Sequence, residues 1–177
     1  VNEDTAYRLP ISVIATDING NALANQPISL SVWPIKFAYD KGRALEWLPN
    51  EDRNRNVIRD LTDEWSEDRT LCKVSGEKIP SSTPNPSQWA FDNQCTLLPP
   101  STSAGALPST VTTDENGLAT FTLTYLKEHS RYVEVELRAS TEVQGTEVQA
   151  SQVFILRYAK SDGPYLPPSP FNVYFEQ

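Results

Sequence analysis

The residues best equipped for chemistry stand in one acidic stretch, Asp52-Arg53-Asn54-Arg55-Asn56-Val57-Ile58-Arg59-Asp60-Leu61-Thr62-Asp63. Read as a twelve-residue calcium loop, it places side-chain oxygens at positions 1, 3, 5, 9 and 12. These are Asp52, Asn54, Asn56, Asp60 and Asp63, with the carbonyl of Ile58 at position 7. A hard cation takes six to eight oxygens, and alternate spacing lets a tight loop point them inward. Position 6, however, is Val57, where such loops carry a glycine for the sharp turn, and three arginines interleave the acids. The competing account is a turn on a solvated acidic face, in which Asp and Asn side chains accept local backbone N–H groups. Driving a valine into the left-handed region costs about 1–2 kcal/mol, or roughly ten-fold or more in affinity. The expectation is therefore an Asx-type turn without a tightly bound metal. Calcium is the one cofactor the sequence suggests.

Other reactive groups lead to less. Cys72 and Cys95 bracket a polar, Pro- and Ser-rich loop, Pro80-Ser81-Ser82-Thr83-Pro84-Asn85-Pro86-Ser87 between them. Such a pair in an exported chain is expected as a disulfide contributing about 3 kcal/mol; the alternative is two free thiols. Trp47, Trp65 and Trp89 lie in the same part of the chain, with Trp33 just before it. Their rings either line a platform for a sugar or peptide or form the small core that a long polar segment needs. The single histidine, His129, stands beside Ser130. A nucleophile and its base face one another in space rather than along the chain, so His129 is expected as an exposed hairpin tip and no catalytic residue is assigned.

Composition narrows the classes further. A formal net charge of −8 over 177 residues opposes nucleic-acid binding, which needs clustered Lys and Arg. No apolar run reaches the roughly 18 residues of a spanning helix. No leader segment is visible and the chain has no Met, as expected of a processed or trimmed polypeptide.

The elements that would position these groups are strands. Asn116-Gly117 permits a chain reversal without Cβ strain. Beyond it Ala119, Phe121, Leu123 and Tyr125 alternate with Thr120, Thr122 and Thr124, the period of a half-buried strand. A sister signal, Asp17-Ile18-Asn19-Gly20, precedes Ile28, Leu30 and Val32 in alternation, ending at Trp33-Pro34. Leu9, Ile11, Val13 and Ala15 share one face of a first strand. Val133, Val135, Leu137 and Ala139 face away from Glu134, Glu136 and Arg138 on a later one. A last strand, about Glu147–Tyr158, is apolar on both faces and is expected to be buried. The organisation expected is a linker over 1–7, an antiparallel all-β sandwich over 8–158 interrupted by an insertion over 34–108, and an extended Pro-rich arm over 159–177.

Val13-Ile14-Ala15-Thr16-Asp17 followed by Ile28, Leu30 and Val32, then Thr113, Asp114, Gly117, Ala119 and Leu123, resembles the bacterial immunoglobulin-like domains of invasin- and intimin-type adhesins and many exported lipoproteins. The resemblance covers roughly residues 8–33 and 109–158. It implies an immunoglobulin-like sandwich in an exported surface or periplasmic protein, with neighbouring tandem domains as partners. The Asp52–Asp63 stretch is similar to the calcium loops of dockerins, which also end in Asp. A plain spacer has a short connection where this chain carries a long insertion, so specificity is expected there. The function expected is a non-enzymatic structural and binding module with a protein or glycan ligand. The alternative is a carbohydrate-binding accessory domain using the insertion's tryptophans.

Overall fold

A computed structural model describes residues 5–41, 44–58, 97–143, 145–165 and 167–172. The alternating segments form strands: β1 (Ala6–Ile14), β2 (Pro27–Lys41), β3 (Ala44–Pro49), β4 (Thr110–Thr112), β5 (Leu118–Leu126), β6 (Val133–Val143) and β7 (Thr146–Ile155). β1 pairs antiparallel with β5 as a two-stranded sheet, while the second sheet runs β3-β2-β6-β7 with β4 also on β2. The two antiparallel sheets pack together as an all-β sandwich.

The two D-x-N-G turns meet, which their separation in sequence does not reveal. Asp17 Oδ1 accepts the N–H groups of Asn19 and Asn21, both at 2.8 Å. Asp114 Oδ1 accepts those of Asn116 at 2.8 Å and Leu118 at 2.9 Å. Gly20 and Gly117 supply the left-handed turns at φ 85° and 72°. The N–H of Ala15 then donates to the Gly117 carbonyl at 2.8 Å. A Cβ on Gly117 would lie 2.5 Å from the Ala15 carbonyl oxygen, so the close approach itself requires glycine. Thr113, almost fully buried, clasps the neighbouring loop: its hydroxyl donates to the Leu23 carbonyl and accepts from the Gln26 N–H.

The core divides into two clusters. One gathers Phe37, Leu98, Leu123, Tyr125, Val133, Val135, Leu156 and Phe171; the other Ile28, Leu30, Phe121 and Leu137. Val13 is half-buried against the second. Ile11, Val32, Leu107 and Phe154 touch both. Burying a side chain the size of Leu123, which has no exposed surface, contributes about 1.5–3 kcal/mol.

Four boundaries differ from the sequence expectation. β2 does not end at Trp33-Pro34. The ladder with β6 shifts register between Pro34 and Lys36 and continues to Phe37, because a bulge absorbs the proline's missing donor. β2 then turns back as β3, so much of 34–49 belongs to the sandwich. Ala6 and Tyr7, expected as linker, already pair with Leu126 and Tyr125. β7, expected to be buried, is exposed along almost its whole length. Among the described residues it is the last strand of its sheet and pairs with β6 alone.

The fourth concerns the C-terminal arm, which is docked over residues 167–172. Phe171 is 2% exposed and meets Phe37 edge-on at 5.1 Å. Asp40 Oδ2 accepts from the Ser169 N–H and from Asn172 Nδ2, both at 2.9 Å, and the Asn172 carboxamide oxygen accepts the Asp40 N–H at 2.8 Å. Tyr132 donates to the Pro167 carbonyl at 2.8 Å. Among the described residues no helix is long and apolar enough to cross a membrane.

Candidate functional site

The bulge that carries β2 past Pro34 also anchors the acidic loop. Pro34 and Ile35 leave carbonyls available: Asn50 donates its side-chain amide to Pro34 and its backbone N–H to Ile35, the latter at 2.9 Å. Asn50 in turn accepts the Asp52 N–H at 2.8 Å. Asp52, 5% exposed, holds the turn that follows. Its Oδ2 accepts the Val57 N–H at 2.8 Å and its Oδ1 the Asn56 N–H at 3.2 Å. Asn54 Oδ1 accepts from Asn56 at 3.0 Å, and Asn56 Oδ1 from Ile58 at 2.7 Å.

The expected Asx-type turn is therefore formed. Val57 adopts the left-handed conformation, at φ 62°, and so does Arg55, at φ 60°. The hydrogen bonds to Asp52 offset the steric cost during folding, so a missing glycine does not prevent the turn. Asp60 and Asp63, the remaining two oxygen donors of the calcium pattern, lie outside the described residues.

Arg55 joins this loop to the sheet. Its Nη2 lies 2.7 Å from Glu136 Oε2 and its guanidinium 6.0 Å from the Trp33 ring centroid. Trp33 and Glu136 are cross-strand partners, and Arg138 Nη2 reaches the same Glu136 oxygen at 2.9 Å. Partial burial tends to raise the Glu136 carboxyl; hydrogen bonds from Arg138 and Arg55 outweigh it and hold the group below its ordinary value.

Where the chain comes back, Leu98 closes the base. The Glu51 N–H donates to the Leu98 carbonyl and the Leu98 N–H to Glu51 Oε2, both at 2.8 Å. Leu98 itself is 1% exposed in the core. Glu51 and Leu98, on either side of residues 59–96 in the sequence, are thus reciprocally pinned. Of the aromatic candidates, Trp47 is half-buried and packs against the main core, so it serves as core rather than platform. Trp65, Trp89, Cys72 and Cys95 lie outside the described residues.

His129 is not the exposed tip expected. Its side chain is 12% exposed and stacks on Phe171 at 6.1 Å with the planes 9° apart. Nδ1 is buried without a hydrogen-bond partner. Burial lowers its affinity for a proton, against weaker opposing effects of Glu128 and the Ser103 backbone. The sequence signal missed here was distant: Phe171 is 42 residues on.

Sequence reasoning also missed a cleft between β1 and β7, of about 640 Å³ at the end lined by Val13, Asp17, Ile28, Thr146, Val148 and Ala150. It continues for about 480 Å³ past Leu9, Ile11, Phe121, Leu137, Gln152, Phe154 and Arg157. Comparison with protein-family models, curated proteins and solved structures finds no match to this chain.

Proposed function

We propose that this chain is a non-enzymatic structural and binding module of an exported bacterial surface or periplasmic protein, immunoglobulin-like in type, with its specificity in the insertion. The observation that carries this is the pinned base. Glu51 and Leu98 hold the two ends of the inserted segment together on a packed sandwich. A long segment displayed from one rigid point is the usual way a scaffold presents a recognition surface. The invasin-like motif residues around Asp17 and Asp114 support the export and family parts of the proposal, since they build the two docked turns rather than a reaction centre.

The test is to replace residues 59–96 with a short Gly/Ser linker. Because the core clusters draw on residues outside that range, the shortened chain is expected to melt cooperatively. A glycan array and a peptide pull-down with the full chain should yield ligands that the shortened chain does not bind. Ligands retained in full by the shortened chain would overturn the assignment of specificity to the insertion.

A further inference from the structure

We infer that the cleft between β1 and β7 is an acceptor site for an extended polypeptide strand from a partner, running antiparallel to β7. The site is separate from the insertion, and the inference goes beyond the function proposed above. Among the described residues β7 pairs only with β6, and its ladder from Thr146 to Ile155 is regular. Its outer edge therefore turns the N–H and C=O groups of alternate residues, Glu147, Gln149, Ser151, Val153 and Ile155, away from β6, and of these the Val153 carbonyl accepts from the Gln152 side chain. Between Thr146 and Ile155 β7 has no proline, no lysine and no bulge, and Glu147 is its one charged residue. Across the cleft, β1 pairs only with β5 among the described residues.

The walls are apolar as well as open. Val148 is 51% exposed, and Ile14 and Ile18 on the rim are 66% and 100% exposed. Exposed apolar side chains gathered around a groove mark an interaction surface. Backbone edges ask for hydrogen bonds at strand spacing, which an extended peptide meets while seating alternate side chains in the groove. Thr146 to Phe154 spans about 27 Å at strand rise.

Every strand pair described in this fold is antiparallel, which sets the direction, and charge then selects the occupant. Asp17 lies at the Thr146 end and Arg157 at the Phe154 end, and among the described residues these are the only charged ones lining the cleft. A strand antiparallel to β7 enters near Arg157 and leaves near Asp17, so it should be acidic at its N-terminal end and basic at its C-terminal end. A second copy is disfavoured by the net charge of −8 on each chain.

The probe is an acetylated, amidated peptide of alternating Thr and Val, with Glu at its N-terminal end and Lys at its C-terminal end. Fluorescence anisotropy with the full chain should show saturable binding, and amide exchange should slow along Thr146–Ile155. Val148→Lys places a charge in the groove at an exposed position and should weaken binding at least ten-fold without lowering Tm. Arg157→Glu should reverse the preference between this peptide and its charge-swapped counterpart. Three results would overturn the inference: no saturation at millimolar peptide, binding indifferent to Val148→Lys, or concentration-dependent self-association abolished by Val148→Lys. Each leaves the insertion's role untouched, because the glycan and pull-down readouts do not depend on this cleft.

Discussion

His129 sits where a proton is costly, and the cost has a direction. Its folded-state value lies below the ordinary 6.5 because burial penalises the charged ring. On acidification the unfolded chain therefore takes up the proton first. The stability contributed by the neutral imidazole is intact above about 6.5 and is lost as pH falls through the folded-state value. The carboxylates held low by their own hydrogen bonds, Asp17 and Asp162 from 3.8 and Glu46 from 4.5, act in a more acidic window. His129→Gln should flatten the fall of Tm that sets in below about pH 6.5 while leaving the steeper loss in the carboxylate range. An unchanged slope would place that pH dependence elsewhere. At Asp52, both carboxylate oxygens already accept backbone N–H groups. Tm is thus expected to be the same in about 1 mM calcium, the scale of extracellular calcium modules, as in chelator. Asp52→Ala should lower it in both, by about 1–3 kcal/mol of lost charge-assisted hydrogen bonding. A calcium-dependent rise abolished by Asp52→Ala would make the loop a metal site.

At the scale of elements, β6 and β7 are adjacent strands with opposite tolerance. Leu137 on β6 is 8% exposed within a core cluster, whereas Val148 on β7 is 51% exposed. Leu137→Asp buries an unpaired carboxylate and should cost about 4 kcal/mol or more. Val148→Asp should stay within about 0.5 kcal/mol. Denaturant melts of the two variants check the assignment; equal losses would mean that the cleft beside β7 is closed. The alternation in β6 was legible because one sheet face packs and the other meets water. In β7 it was not, because Val153 and Ile155 face away from the cleft on an edge strand, where apolar side chains on both faces do not imply burial. The same limit applied at Pro34, where proline looked like a strand end. A bulge made it the anchor for Asn50 instead.

For the whole molecule, the open question is how independently the insertion behaves. Cys72 and Cys95 are expected to be joined, so intact mass without reductant should be two hydrogens below the dithiol form. Reduction should speed exchange in the insertion more than in β5 or β6, whose burial gives them greater protection. Two titratable thiols in the native protein would remove the bridge and one support for export. The sequence by itself determined the all-β class, the inward faces of β1, β5 and β6, and the two D-x-N-G turns. Those depend on period-2 alternation and on backbone conformations written into neighbouring residues. Only the tertiary structure decided that the turns dock on each other through Gly117, that Phe171 returns to cover His129, and that β7 lies open beside β1. Each depends on which distant segments come together, and local pattern carries no record of that.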